Sequence, residues 1–502
     1  MEKITIEEMA VFCKRKGFIY PNSEIYGGLS GFFDYGPYGV ELKNNIKAAW
    51  WRHNVHKRSD IAGIDGSIIT NPKVWEASGH VSNFTDIILE CSKCQNKIRG
   101  DHFLEDKLKL RVESMKLEDI NEAIKSNNLK CPKCGSFFKD AKPFNLMFRT
   151  SVGPSSDSEA YLRPETAQVI FADFKLVHEN ARLKLPFGIA QMGKAFRNEI
   201  SPRDFMFRAR EFEQMEIEYF INPEKQGCPF IEQFHDYELN ILTADMQQKN
   251  EKPKKMKIKS ALKDKVLGEW HAYWLCYHHK WFVDLGAKGD NFRIRQHLPE
   301  EKSHYALDTW DLEYNFPFGW KELEGVANRT DFDLQQHMKA SKTDLSYFDQ
   351  ETSRKIVPHV VCEPSLGVER AFLVFMFDAY EYDERRENIV LHFNPKLAPI
   401  KAAIFPLVGN KAEVSGKAKE VYNGLKEYYN VFYDESGSIG RRYARQDELG
   451  TPYCITIDFD SLEKNDVTIR DRDSTGQKRI PIAELRLTLQ KLLDGEIAFE
   501  KI

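Results

Sequence analysis

FRNEISPRDFMFRAREFEQMEIEYF, Phe196 to Phe220, carries Arg and Glu where a packed sheet hairpin would carry apolar side chains. Strands send alternate side chains to opposite faces. With the stretch read as two strands and a loop, Arg197 and Glu199 share one face of the first strand; Phe196, Asn198 and Ile200 take the other. In the second strand Met215, Ile217 and Tyr219 form an apolar face, opposed by Phe212, Gln214, Glu216 and Glu218. The connecting loop adds Arg203, Arg208 and Arg210. Arginine offers phosphate oxygens a rigid two-pronged donor; a neighbouring Phe can stack on a base, and a carboxylate can hold amino groups. An anionic, planar ligand accounts for this set; the plainer reading is a surface hairpin with cross-strand ion pairs.

A second segment points the same way. HVVCEPSLGVERAFLVFMFDAY, His359 to Tyr380, reads as strand, turn and helix. Glu363 and Ser365 fall on one strand face, Gly367 is placed to allow a sharp turn, and Arg370 lies in the first helical turn. A helix N-terminus with an arginine attracts anions. GWKELEG, Gly319 to Gly325, alternates as a strand and predicts Glu322 and Glu324 on the same side. Paired carboxylates beside a triphosphate commonly hold Mg²⁺; an exposed acidic edge strand is the other reading.

The whole chain, 502 residues, divides into two to four domains of ordinary size. Its net charge of −4 gives no global basic signature, though a local patch can still engage a nucleic acid. The most apolar run, AFLVFMF (Ala371 to Phe377), is far shorter than the roughly 20 residues that cross a bilayer. The N-terminus reads as an amphipathic helix and not as a signal peptide, so no membrane association and a cytoplasmic location are expected.

Nine cysteines in so long a chain do not make a disulfide scaffold. CSKC (Cys91, Cys94) and CPKC (Cys131, Cys134) supply four thiolates that can surround one structural Zn²⁺; unrelated thiols or two redox pairs are the alternatives. Residues 222–300 read as largely helical, with seven lysines between Lys252 and Lys265 that either face solvent or meet nucleic-acid phosphates. Beyond residue 391 the composition resets into a separate α/β domain.

Together these segments resemble the class II aminoacyl-tRNA synthetases. FRNE with its arginine loop and FEQME is similar to their motif 2, and EPSLGVERAFL to motif 3. LRPETAQ (Leu162 to Gln168) and WEASGH (Trp75 to His80) resemble the subgroup that handles glycine, proline, threonine, serine and histidine. DYGPYGVELKNNI and KELEGVANRTDFDL point within it to the glycine-specific, single-chain homodimeric branch. The resemblance implies an α+β fold: a six-stranded antiparallel sheet flanked by helices in a catalytic domain, 1–390. That domain would contain a zinc-ribbon-like insertion at 90–143 and a helical, Lys-rich insertion at 222–300, ahead of an anticodon-binding domain at 391–502.

The resemblance further implies a ligase that joins glycine to tRNA(Gly) through a glycyl-adenylate, using ATP and Mg²⁺. It assigns Arg197, Glu199 and Arg370 to catalysis. ATP contacts fall to those three with Asn198, Phe207, Arg208, Arg210, Glu211, Phe212, Glu322, Leu323 and Gly367. Arg99, Glu165, Phe212, Gln214, Glu216, Glu363 and Ser365 are carried over as the glycine pocket; the basic GRRYAR (Gly440 to Arg445) reads either as a tRNA contact or as a capped helix start. The alternatives are a class II enzyme for another small amino acid and a non-catalytic synthetase-like tRNA sensor.

Overall fold

The apolar face Met215, Ile217 and Tyr219 is buried completely, in the middle of a nine-stranded sheet. The structure is a computed structural model that describes residues 4–108, 115–154, 158–303 and 306–502. The strands of this sheet are β1 (Ile61–Ile64), β2 (Phe187–Phe196), β3 (Glu211–Ile221), β4 (Glu238–Leu242), β5 (Lys254–Lys257), β6 (Phe292–Gln296), β7 (Asp308–Phe316), β8 (Gly319–Asn328) and β9 (His359–Gly367). Their order is β5-β4-β6-β7-β8-β9-β3-β2-β1. Six neighbours, β6 through β2, are antiparallel throughout, which is the sheet the resemblance implies. β1 extends it in parallel with β2, and β4 in parallel with β6.

Six helices matter for the site: α1 (Ile6–Lys16), α2 (Pro37–Trp51), α3 (Ala167–Asn180), α4 (Glu269–Asp284), α5 (Phe332–Ser341) and α6 (Val368–Ala379). α1 starts at a capping box, with Thr5 and Glu8 bonding each other's backbone, and stops at left-handed Gly17. α1, α2, α4 and α6 pack on the Met215 face through Met9, Ile46, Trp274 and Phe372. α2 approaches so closely that a Cβ on Gly39 would stand 1.8 Å from the Phe18 carbonyl oxygen. The other face receives α3 and α5, where Phe171, Phe174 and Leu334 meet Phe187, Phe220 and Val360. Gln214, Glu216 and Glu218 point to this second face near the hairpin loop, under the helices and away from water.

Residues 222–300 are not largely helical. Leu239 and Ile241 place β4 in the sheet, Met256 lies within the edge strand β5 with buried Ile258 just after it, and only α4 is a long helix there. The lysine run contributes the edge strand itself: Lys254, Lys255 and Lys257 pair with Glu251, Glu238 and Asp236 at 3.2, 3.7 and 3.1 Å. Charged side chains on an edge strand discourage pairing with another chain, a use for lysine that composition alone does not separate from a solvated helix.

The four cysteines sit on a small unit of their own. Its three strands, Thr85–Glu90 flanked by Lys97–Arg99 and Lys142–Asn145, pack with helices Gly100–Leu108 and Leu117–Ser126 around Leu89, Leu104 and Ile120. At the C-terminal end a five-stranded sheet runs in the order Val431–Tyr433, Ala402–Pro406, Tyr453–Ile457, Asp466–Asp471, Gln477–Pro481. Its first three strands are parallel and its last two antiparallel, and helices Ala412–Leu425 and Ile482–Asp494 close its core.

Candidate active site

β2 ends at Phe196, so Arg197 and Glu199 do not sit on a strand face as their alternation predicts. The chain turns there: the Arg197 N–H donates to the Arg210 carbonyl (2.9 Å), Glu199 N–H to Arg197 (2.7 Å), and Asn198 N–H to Leu146 (2.8 Å). The turn lifts Arg197 and Glu199 into a cleft lined also by Phe207, Arg208, Phe212, Gln214, Glu322, Ser365, Gly367 and Arg370. Arg197 donates from Nε to the Pro164 carbonyl (3.0 Å), and its guanidinium lies 5.3 Å from the Phe212 ring and 5.5 Å from the Phe84 ring. Two rings and one carbonyl fix this side chain at the lining of the cleft.

Arg208 makes no side-chain hydrogen bond or ion pair among the described residues. Burial lowers its guanidinium pKa; Glu199 draws it up again, and Arg99, Arg203 and Arg370 push it down. Several guanidinium groups converging with so little compensation define an anion site. Arg370 lies over the Phe207 ring at 4.6 Å and meets Glu322 through Oε1 (3.2 Å) and the backbone carbonyl (2.9 Å). Packing on one side of the Glu322 carboxylate is outweighed by Arg370, His297 and Arg197, which hold it below the usual carboxylate range.

Glu322 and Glu324 part company. β8 has a bulge opposite Leu312 and Glu313, so Glu322 faces Glu313 while Glu324 faces Leu312, and the alternation resets between them. Glu322 stays in the cleft; Leu323 is fully buried in the main core, and Glu324 reaches Nδ1 of His278, whose Nε2 meets Asn54 (3.0 Å). The acid that instead approaches Glu322 is Asp311, across from Gly325: a Cβ there would lie 3.7 Å from Glu322 Oε1 and 3.9 Å from Asp311 Oδ1. Gly367 has φ −78° and ψ 128°, a backbone open to any residue, so no turn requires it; the Arg370 stem packs over it.

Behind Gln214 the cleft narrows into a nest of acids. Glu216 accepts from Thr166 N–H (2.8 Å), the Thr166 hydroxyl, Gln214 Nε2 (2.9 Å) and Ser365 Oγ (2.5 Å). Burial, then Glu165, raises its pKa against those bonds. Glu165 meets His80 Nε2 (3.3 Å) and Gln168 Nε2 (3.1 Å). Burial pushes its pKa upward, but His80 and Arg329 prevail and keep it ionised. Glu363 takes both bonds of Arg329 Nη1 (3.0 and 2.9 Å), while the remaining donors of that guanidinium grip Asp333 (2.7 and 2.8 Å). Even so, burial and the neighbouring Glu216 and Glu165 push Glu363 up to about 8.

Other expected residues stand outside the cleft. Arg210 donates to the Glu199 and Ser30 carbonyls (3.0 and 2.9 Å), and Glu211 pairs with Lys194 (2.8 Å); both brace the hairpin. Arg99 is gripped by Asp86 (2.9 Å) and Asp101 (2.8 Å) and feels Glu199, across the rim. Arg442 of GRRYAR is buried and donates to the Pro406 and Leu407 carbonyls (2.6 and 3.2 Å), so it serves the fold; Arg441 and Arg445 stay exposed. Arg329 and Asp333 escaped notice as site residues, although their i, i+4 spacing in NRTDFD is a visible signal. Glu369, which accepts from Tyr35 OH (3.0 Å) and Glu213 N–H (2.9 Å) beneath the cleft, had no such signal.

The sulfurs of Cys91, Cys94, Cys131 and Cys134 lie within 4.8 Å of one another. Cys91–Cys134 and Cys94–Cys131 separations are 3.4 and 3.7 Å, close to the ~3.8 Å edge of a tetrahedron with metal–sulfur bonds of about 2.3 Å. The two knuckles repeat each other: Cys91 and Cys131 donate N–H to Asn96 and Ser136, and Gln95 and Gly135 return to them with positive φ. Bonds from Ser136 lower the Cys134 thiol to about 6, which favours the metal-binding thiolate. The four form a candidate metal site of the composition zinc prefers.

The antiparallel sheet with its arginine cleft agrees with a class II aminoacyl-tRNA synthetase core, the class to which the sequence matches assign the chain. Residues 148–379 match the family model of the tRNA synthetase class II core domain (G, H, P, S and T), and 401–492 that of the anticodon binding domain. Prolyl-tRNA synthetase from Cryptosporidium parvum shares the fold, with a TM-score of 0.58 at 15% identity over 98% of this chain and 77% of that one. Glycine–tRNA ligase of Geobacillus kaustophilus is 45% identical over 97% of this chain and 99% of that protein; that of Acetivibrio thermocellus is 47% identical over 96% and 97%. The chain belongs to the glycine–tRNA ligase family.

Proposed function

We propose that the protein attaches glycine to tRNA(Gly) in two steps. The observation that carries this is the acid nest, Glu165, Glu216 and Glu363, directly behind the arginine cleft. It offers an ammonium several oxygens from acids that are buried or nearly so. In the first step a glycine carboxylate oxygen attacks the α-phosphorus of ATP, forming glycyl-adenylate and expelling pyrophosphate. The protein's work is positioning and charge compensation. Arg197 bridges the glycine carboxylate and the α-phosphate, the free face of Phe212 stacks on adenine, and Glu199 takes the adenine amino group. Arg208 and Arg370 hold the terminal phosphates. Glu322, with Asp311 nearby, is the ligand set for Mg²⁺, which supplies charge neutralisation on those phosphates when bound.

In the second step a ribose hydroxyl at the tRNA 3′ end attacks the glycyl carbonyl, and AMP leaves. Glu165, Glu216, Glu363 and Ser365 hold the glycine, with Gln214 between the pocket and the phosphates. Arg99 guards the rim from the cysteine unit, whose four thiolates hold a structural zinc ion. Residues 391–502 bind the anticodon, residues 1–390 catalyse, and the working form is a cytoplasmic homodimer. No helix among the described residues is long and apolar enough to cross a membrane.

Amino-acid-dependent ATP–pyrophosphate exchange tests the activation step. With glycine, alanine, serine, threonine and proline supplied separately, only glycine is expected to support exchange. Exchange with a different amino acid would overturn the pocket, and exchange with none would favour a tRNA sensor.

A further inference from the structure

Glu218 is a buried acid to which the two-step reaction gives no task. It is 0% exposed, and neither carboxylate oxygen meets a hydrogen-bond donor among the described residues. The register Glu216↔Ser365 and Tyr219↔Cys362 sets Glu218 directly opposite Glu363. Like charges in that relation repel. The groups facing Glu218 are Glu216 on its own strand, Glu363 on β9, Arg329 after β8 and Asp333 on α5; from β2 comes only apolar Ile189. Arg329 already serves two carboxylates, Glu363 and Asp333, with its bonds. An ionised carboxylate there would be desolvated and would lack any donor, so Glu218 is held as the neutral acid.

Substrate changes that balance. The ammonium brings one positive charge to the acids that include the cross-strand partner of Glu218. We propose that Glu218 carries an exchangeable proton for this pocket, neutral while the pocket is empty and ionised when the amino-acid ammonium docks. The Glu218 O–H bond breaks, the proton goes to solvent, its electron pair stays on the carboxylate, and the ammonium keeps its own three protons. Glu218 is thus a positioning residue that acts through Glu363, and its role rests on the glycine-binding reading of the pocket. Burial, then Glu363, pushes its pKa well above the carboxylate range, against Arg329. Proton release on binding means that glycine affinity rises with pH, with a slope approaching tenfold per pH unit where release is complete.

Calorimetric titration of glycine into the full-length protein, near neutral pH in buffers of different ionisation enthalpy, counts the protons released. The wild type is expected to release a large fraction of one proton. Glu218→Gln is expected to bind glycine while releasing almost none, and to flatten the pH profile of KM for glycine in the exchange assay. In difference infrared spectra, glycine should bleach a protonated-carboxyl C=O band in the wild type that Glu218→Gln lacks, which separates Glu218 from Glu363. Glycine binding by the wild type without proton release, or equal release by Glu218→Gln, overturns the proposal. If the wild type binds no glycine, the functional reading falls and takes this inference with it.

Discussion

Arg329→Met tests the charge balance of the amino-acid pocket quantitatively. The substitution removes a guanidinium that bonds Glu363 at 3.0 and 2.9 Å and Asp333 at 2.7 and 2.8 Å, all in a site almost closed to water. Breaking a buried ion pair from one side costs about 3–5 kcal/mol, because the abandoned charges stay buried. The acids then relieve the cost by protonation. Their folded-state pKa values rise above the unfolded ones, so the folded state binds more protons and its stability is lost as pH increases. Each such acid contributes up to about 1.4 kcal/mol per pH unit across the window between its two values. Glu363 is already pushed up to about 8 beside Arg329, so the loss particular to the variant opens at and above that value. All eight tryptophans lie before residue 321, so urea unfolding followed by tryptophan fluorescence reports the catalytic body alone. The variant is expected to lose about 3–5 kcal/mol near pH 9 and at least ~1 kcal/mol less near pH 7. A loss under ~1 kcal/mol, or one that does not change with pH, would refute the shared-cation account.

Three further outcomes follow from single contacts. Arg370→Ala should lower glycine-dependent exchange by roughly 10²–10³-fold, the usual worth of one preorganised donor, with the urea midpoint nearly unchanged; equal loss of both would make Arg370 a structural residue. Gly193→Ala would set a Cβ 2.0 Å from Nη2 of Arg163, whose guanidinium is tied to the Lys194 and Gly66 carbonyls (2.6 Å each), so a loss of at least about 1–3 kcal/mol is expected in the same unfolding assay. Removing metal with a chelator, or Cys134→Ser, should abolish zinc binding in elemental analysis and raise hydrogen exchange over residues 85–108 and 115–145 while sparing α2 and α4; unchanged exchange would deny the ion a structural role.

Much of the site was legible in FEQMEIEYF because β3 is a regular central strand, where period-two alternation survives folding. Phe212, Gln214, Glu216 and Glu218 do share a face, and register alone brings Ser365 to Glu216. Alternation failed where the backbone broke step. The strand stops before Arg197, and a bulge turns Glu324 into the core while Glu322 stays in the cleft, neither of which leaves a mark in the sequence. Charge misled where a guanidinium serves carbonyls: Arg210 and Arg442 look like ligand contacts and are braces. The strands β4 and β5 were hidden for a different reason, since lysines that protect a sheet edge resemble those of a solvated helix.

Attachment of glycine to tRNA is best tested by the whole reaction. Purified protein, ATP, Mg²⁺ and a tRNA(Gly) transcript would be incubated with labelled glycine, alanine or proline, and acid-precipitable label measured. ATP-dependent accumulation of glycyl-tRNA, with neither other amino acid incorporated, is the predicted result. Charging with alanine or proline, or no charging by protein that still activates glycine, would contradict it.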